Sequence, residues 1–128
     1  WSAEFTDVFD RFIADSIKEI ALRAGLAALM EHMSTHANPG PTASMNPGSL
    51  KDWPINEQAR LFELLGDTSE KIGVRLTDSY LMMPVKSVSG IWFPTESKFE
   101  NCQLCMRENC PNRRVPYNRE LYNKHYGD

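Results

Sequence analysis

The sequence predicts an α+β domain, with a long N-terminal helix and shorter helices packed on a curved antiparallel sheet and a cysteine-rich C-terminal tail. Three observations predict it. Apolar residues recur at helical spacing from Phe5 to Met33, a two-residue period takes over from Val74, and Cys102, Cys105 and Cys110 stand together near the end.

The first helix is read from Phe5, Val8, Phe9, Phe12, Ile13, Ile17, Ile20, Ala21 and Ala24, the i, i+3, i+4 stripe of a buried helical face. A second stripe through Leu22, Leu26, Leu29, Met30 and Met33 is displaced from it, so the helix either wraps its contact around its axis or bends near Gly25. Residues 36–54 carry four of the eight prolines and two of the seven glycines, the composition of a long functional loop. Ile55, Ala59, Phe62 and Leu65 share one face of the next helix, which stops at Gly66. Asp67 followed by Glu70 caps a short helix that ends at Gly73. Val74, Leu76, Tyr80 and Met82 predict a strand interrupted at Asp78. Pro84 to Ser87 turns the chain into a second strand from Val88 to Phe93, and the two are expected to pair as a hairpin. The polar, aromatic stretch from Tyr117 onward predicts a last helical turn.

At 128 residues, with 41% hydrophobic and 24% charged side chains, the chain suits one domain with a core of its own. Division into a body at 1–99 and a tail at 100–128 follows from where the cysteines begin. Residues 98–128 hold six Lys/Arg against four Asp/Glu, while residues 1–97 hold eight against thirteen. That surplus in the tail is too small for a nucleic-acid footprint. No apolar run reaches the roughly 18 residues of a membrane span. An odd number of cysteines opposes a disulfide framework and points to a reducing compartment, hence a cytoplasmic protein. The chain begins at Trp1 rather than methionine, as a fragment would.

Cys102, Cys105 and Cys110 form C-x2-C-x4-C, followed at once by Pro111. A two-residue gap lets two thiolates of one turn face a single ion, so a metal or iron–sulfur site is expected. A closed zinc site needs a fourth ligand, from His125, His36, His32 or outside the chain. A cysteine directly followed by proline is also a feature of ferredoxin segments that hold a [4Fe–4S] cluster. The reading taken is an iron–sulfur cluster at the cysteines, with zinc as the alternative. Elsewhere, the loop Ser44 to Ser49 places Gly48 ahead of a helix start, where free backbone donors can meet a ligand. Ser87, Ser89 and Gly90 are small residues within a strand, the mark of a close approach by another backbone or a flat ligand. Lys86 beside them is a candidate phosphate or carboxylate partner.

Taken in order, these segments resemble the C-terminal, S-adenosylmethionine-binding activation domain of cobalamin-dependent methionine synthase. The likeness runs through NPGS (Asn46 to Ser49), WPINEQARLFELLG, and Leu76, Thr77, Asp78, Ser79, Tyr80, Pro84 and Ser87 to Gly90, and it covers about 54 of 128 positions. It implies a ligand site at Asn46, Pro47, Gly48, Ser49, Ser87, Val88, Ser89 and Gly90, which in that family binds S-adenosylmethionine and presents its methyl group to a reduced cobalamin on a neighbouring domain. The family's loop arginine, which helps to hold the ligand carboxylate, falls on Ser44; its two ligand-region tyrosines fall on Ser49 and Phe99. Loss of a bidentate carboxylate partner costs about 2 kcal/mol or more of binding. The family domain is longer, which implies that an N-terminal portion lies outside this chain. Stand-alone relatives carry similar cysteine-rich ends.

Two functions from different classes follow. In the first, the chain is accessory to, or part of, a cobalamin-dependent methyltransferase rather than an independent enzyme. It reactivates the corrinoid by one-electron reduction, the electron coming from the cysteine-bound centre or from an external donor, with a corrinoid protein or methyltransferase as partner. Such chemistry rests on the cofactor, and no catalytic side chain is assigned. In the second, a structural zinc knob at the cysteines folds the tail, and the body is a non-catalytic docking module.

Overall fold

The computed structural model describes residues 2–97, 99–111 and 113–127. A 3-10 turn at Ser2–Glu4 leads into helix α1, Val8–Ala37, about 45 Å long at the standard rise. Asp7 starts α1, accepting from the backbone N–H groups of Phe9 and Asp10 at 2.8 and 3.2 Å. Asn38 ends it in the left-handed conformation. The helix runs unbroken through Gly25, at which an added Cβ would meet nothing within 4 Å.

Burial of α1 departs from the expected stripe. Phe9 and Phe12 are each 69% exposed, and Val8, Ile13, Ile17 and Ile20 are exposed with them, whereas Ala14 is 2% exposed. Periodicity states which side chains share a face and is silent on what covers it. Leu22 and Met30, from the second stripe, are half-buried. Lys86 ties the helix to the body by pairing with Asp15 at 3.0 Å and Glu19 at 3.4 Å. Lys86 is therefore already committed to carboxylates of its own chain. The Lys86 bond holds the Asp15 carboxyl below its ordinary range, Arg23 and then Lys86 do the same for Glu19, and the bond to Asp15 holds the ammonium above its own.

Within the proline-rich loop, strand β1 spans Thr42–Met45. The chain then turns tightly: the N–H of Gly48 donates to Trp53 O at 2.7 Å, and that of Trp53 to Leu50 O at 3.2 Å. A 3-10 turn at Ile55–Glu57 opens α2, Gln58–Leu65, which stops at Gly66 as expected. Asp67 caps α3, Thr68–Ile72, by accepting from the N–H of Glu70 at 2.9 Å, and Gly73 closes it in the left-handed region. Strands β2, Arg75–Leu76, and β3, Met82–Met83, pair antiparallel, and β4, Ile91–Pro94, pairs antiparallel with β1.

The expected α+β class holds, as two small antiparallel sheets, but the strand pairing differs from expectation. Residues 74–82 do not form one strand paired with 88–93. Thr77 closes a local turn instead: its Oγ1 accepts from the N–H of Leu81 at 3.1 Å and its own N–H donates to Leu81 O at 2.9 Å. This local turn closes β2 onto β3, and β4 is left to find β1, with Ser44 opposite Trp92. Tyr80 sits in the turn at a φ of 62°.

After a 3-10 turn at Asn101–Gln103, the chain finishes in α4, Arg119–Tyr126. Among the described residues the buried apolar side chains are Ala14, Ala43, Leu50, Leu61 and Leu104, in α1, β1, the turn after β1, α2 and the tail. Among the described residues no helix is long and apolar enough to cross a membrane.

Candidate functional site

The two segments singled out in the sequence meet. Asn46 Nδ2 donates to Ser89 O across 43 residues, and Ser89 Oγ donates at 2.9 Å to Oε1 of Gln58, itself 2% exposed. Gly90 makes that approach possible, because a Cβ there would lie 2.5 Å from both Asn46 Nδ2 and Met45 O. Gly48 holds the loop at a φ of 81° against Ile55, and Ser49 Oγ donates to Asn46 O at 2.6 Å. Ser87 Oγ turns back to Pro84 O at 2.7 Å.

Two cavities lie on either side of this seam, with Asn46, Val88 and Ser89 lining both. The first, of about 300 Å³, adds Pro47, Ser87, Gln58 and Tyr80. The second, of about 340 Å³, lies against α1 and is closed by Met30, Met33, Ser44, Gly90, Trp92 and Arg114. Gly48 and Ser49 face a third, of about 410 Å³, together with Lys51, Cys105, Tyr122 and Tyr126. The loop thus divides its residues between different cavities.

The tail is riveted to that loop. Asn101 Nδ2 donates to Ser49 Oγ at 3.3 Å, while its buried Oδ1 has no hydrogen-bond partner among the described residues. Such an acceptor is a place for a donor from water or a ligand. Asp52 accepts from the hydroxyl of Tyr126 at 2.6 Å and lies 3.0 Å from Nε2 of His125. Lys51 stands 5.3 Å from the ring centres of Tyr122 and Tyr126. Burial, and then the Asp52 carboxylate, push the Tyr126 hydroxyl up to about 12. The same bond from Tyr126 holds Asp52 below the ordinary aspartate range.

The three cysteines are free thiols and half-buried. No three His, Cys, Asp or Glu side chains among the described residues are grouped to hold a metal ion. What gathers the loop is Arg113, whose guanidinium donates to Cys102 O at 2.9 Å, Cys105 O at 3.0 Å, Val115 O at 3.4 Å and Arg107 O. Of the candidate fourth ligands, His125 is engaged by Asp52, and His32 and His36 stack on each other along α1 with ring centres 4.0 Å apart. Gln58, Asn101, Arg113 and Arg114 carried no assigned role in the sequence. Their signal was a polar type at a position whose burial or neighbours only the fold reveals.

This arrangement is that of a small α+β domain, with a loop pinned to a strand start and a tail folded over it. A family model described as vitamin B12 dependent methionine synthase, activation domain, matches residues 49–113, and the chain belongs to that family. Its general role is accordingly activation of the methionine synthase type, on a cobalamin enzyme. The matched range takes in all three cysteines. No curated protein and no solved structure matches the chain.

Two outcomes test this geometry. Gly90→Ala forces Asn46 and Met45 apart and should cost about 1–3 kcal/mol in a denaturant unfolding curve, as overpacking does; unchanged stability would show that the seam is not close-packed. The tail's docking should also be bounded in pH. Asp52, with its value lowered, contributes stability that is fully present above the ordinary aspartate value of about 3.9 and is lost as pH falls through its lowered one. Tyr126, with its value raised, contributes stability that is fully present below the ordinary tyrosine value of about 10 and is lost as pH rises towards about 12. Absorbance titration at the tyrosinate band should show one late-titrating tyrosine, and Asp52→Ala should bring it partway back.

Proposed function

We propose that the chain binds S-adenosylmethionine at the wall made by Asn46–Ser49 and Ser87–Gly90 and serves the reductive reactivation of a corrinoid methyltransferase. One observation carries this reading: Asn46 and Ser89, from the two segments that the family resemblance marks as ligand-binding, are hydrogen-bonded to each other at cavity walls. Family membership supplies the activation role, and the resemblance supplies the ligand. The cobalamin would sit on a corrinoid protein or methyltransferase partner and supply the metal-centred chemistry when bound. This chain's residues would bind and orient the methyl donor: Asn46 and Pro47 of the loop on one side, Ser89 and the Gln58 that fixes it on the other.

The iron–sulfur or zinc reading of Cys102, Cys105 and Cys110 rests on their spacing. As arranged here, with Arg113 closing the loop and no three ligands grouped among the described residues, the thiols do not fit a closed metal site, and no electron step is assigned to them. Visible absorption and metal analysis of chain purified without oxygen test the spacing. Broad visible absorption would mark an iron–sulfur centre and require the Arg113 clamp to open; a colourless chain holding zinc would favour the docking module; a metal-free chain removes both.

Backbone amide spectra test the main reading. On addition of S-adenosylmethionine, the signals of Asn46, Ser49, Ser89 and Gly90 should shift together, while those at the far end of α1 stay in place. Shifts in neither segment reject this binding site.

A further inference from the structure

We propose that Cys102 and Cys105 form a thiol–disulfide exchange site whose substrate is a low-molecular-weight disulfide, Cys105 being the thiol that meets it and Cys102 the one that closes the internal bond. The site depends neither on S-adenosylmethionine nor on a metal. The tail turns here through three successive i to i+3 bonds: the N–H groups of Gln103, Leu104 and Cys105 donate to Glu100 O, Asn101 O and Cys102 O at 2.9, 3.1 and 3.4 Å. In a 3-10 turn, side chains three residues apart eclipse, and a rise of about 2 Å per residue sets their Cα atoms about 6 Å apart. That matches the commonest Cα separation across a disulfide, roughly 5.5–6 Å.

Arg113 holds the turn at that spacing. Its guanidinium donates to the carbonyls of both cysteines, at 2.9 Å for Cys102 and 3.0 Å for Cys105, and its own N–H donates to Cys110 O at 3.2 Å. The two ends of the turn differ in access. Cys105 lines the cavity of about 410 Å³ beside Gly48 and Ser49, and Cys102 is not in that lining, so an incoming disulfide reaches Cys105 first. The Cys105 thiolate attacks one sulfur of the substrate, forming a mixed disulfide and releasing one thiol. Cys102, its proton given up to solvent, then attacks Cys105 Sγ, closes the internal disulfide and expels the second thiol. Two protein thiols lose two electrons and two protons, and the substrate gains both, in an exchange separate from any one-electron step at a corrinoid. An odd number of cysteines suits such a site, because it uses two thiols reversibly and builds no permanent framework.

The test equilibrates the full chain, purified without oxygen, with mixtures of reduced and oxidised glutathione. Free thiols are then blocked with iodoacetamide and the tryptic peptides mapped by mass; cleavage after Arg107 separates Cys102 and Cys105 from Cys110. Peptide 99–107 should carry an internal disulfide that opens again on reduction, with Cys110 blocked by iodoacetamide. Cys102→Ser should accumulate glutathione on Cys105, and Cys105→Ser should leave Cys102 blocked by iodoacetamide. In Cys110→Ser the glutathione ratio at half-oxidation should move by less than about twofold. An internal bond that needs Cys110, glutathione on all three cysteines alike, entry at Cys102 instead of Cys105, or thiols that stay reduced throughout, whether or not a metal holds them, each overturns the assignment. The wild-type map alone decides which pair forms, so the assignment stays open to refutation even where a serine variant fails to fold. None of these results bears on S-adenosylmethionine, whose binding is read from the backbone spectra.

Discussion

The contact on which the rest of the site depends is the approach of the Gly90 backbone to Met45 and Asn46. Only a residue without a Cβ allows it, since any side chain there would start 2.5 Å from two polar atoms. With that approach made, Asn46 can reach Ser89 O, Ser89 can reach the buried Gln58, and β4 can lie along β1 from Ile91 onward. Loop, strand and α2 are thus fixed to one another by two side-chain hydrogen bonds across partly buried ground. There an unpaired partner is costly and a satisfied one specifies a single geometry.

The tail is built on this frame. Ser49, held by Asn46, receives Asn101, and Asp52 a few residues on receives His125 and Tyr126. Leu104 of the tail is buried. The tail's chemistry then reaches the body's cavities at two points, with Cys105 beside Gly48 and Ser49, and Arg114 beside Ser44. The outer face of α1 is the contrast. Its first stripe, from Val8 to Ile20, is exposed along the whole run, while residues of the second stripe line the cavity shared with β4 and Lys86 ties the helix to the body.

Local elements were legible in the sequence because local physics makes them. Asp67 starts a helix, Gly66 and Gly73 stop helices, and the apolar spacing of α1 follows from 3.6 residues per turn, so none of these needed knowledge of the rest of the chain. The two halves of the candidate site were marked by the family resemblance, since Gly48 in its loop and the small residues Ser87, Ser89 and Gly90 are by themselves equally the signs of a turn and of a close backbone approach. Tertiary structure decided what these residues touch. Whether β4 paired with residues 74–82 or with β1 turned on Thr77 closing its own turn, and periodicity holds no record of a partner strand. Arginine at 113 and at 114 is the same letter twice, yet one binds backbone carbonyls and the other lines a cavity, because only folding sets the direction in which each side chain leaves the loop.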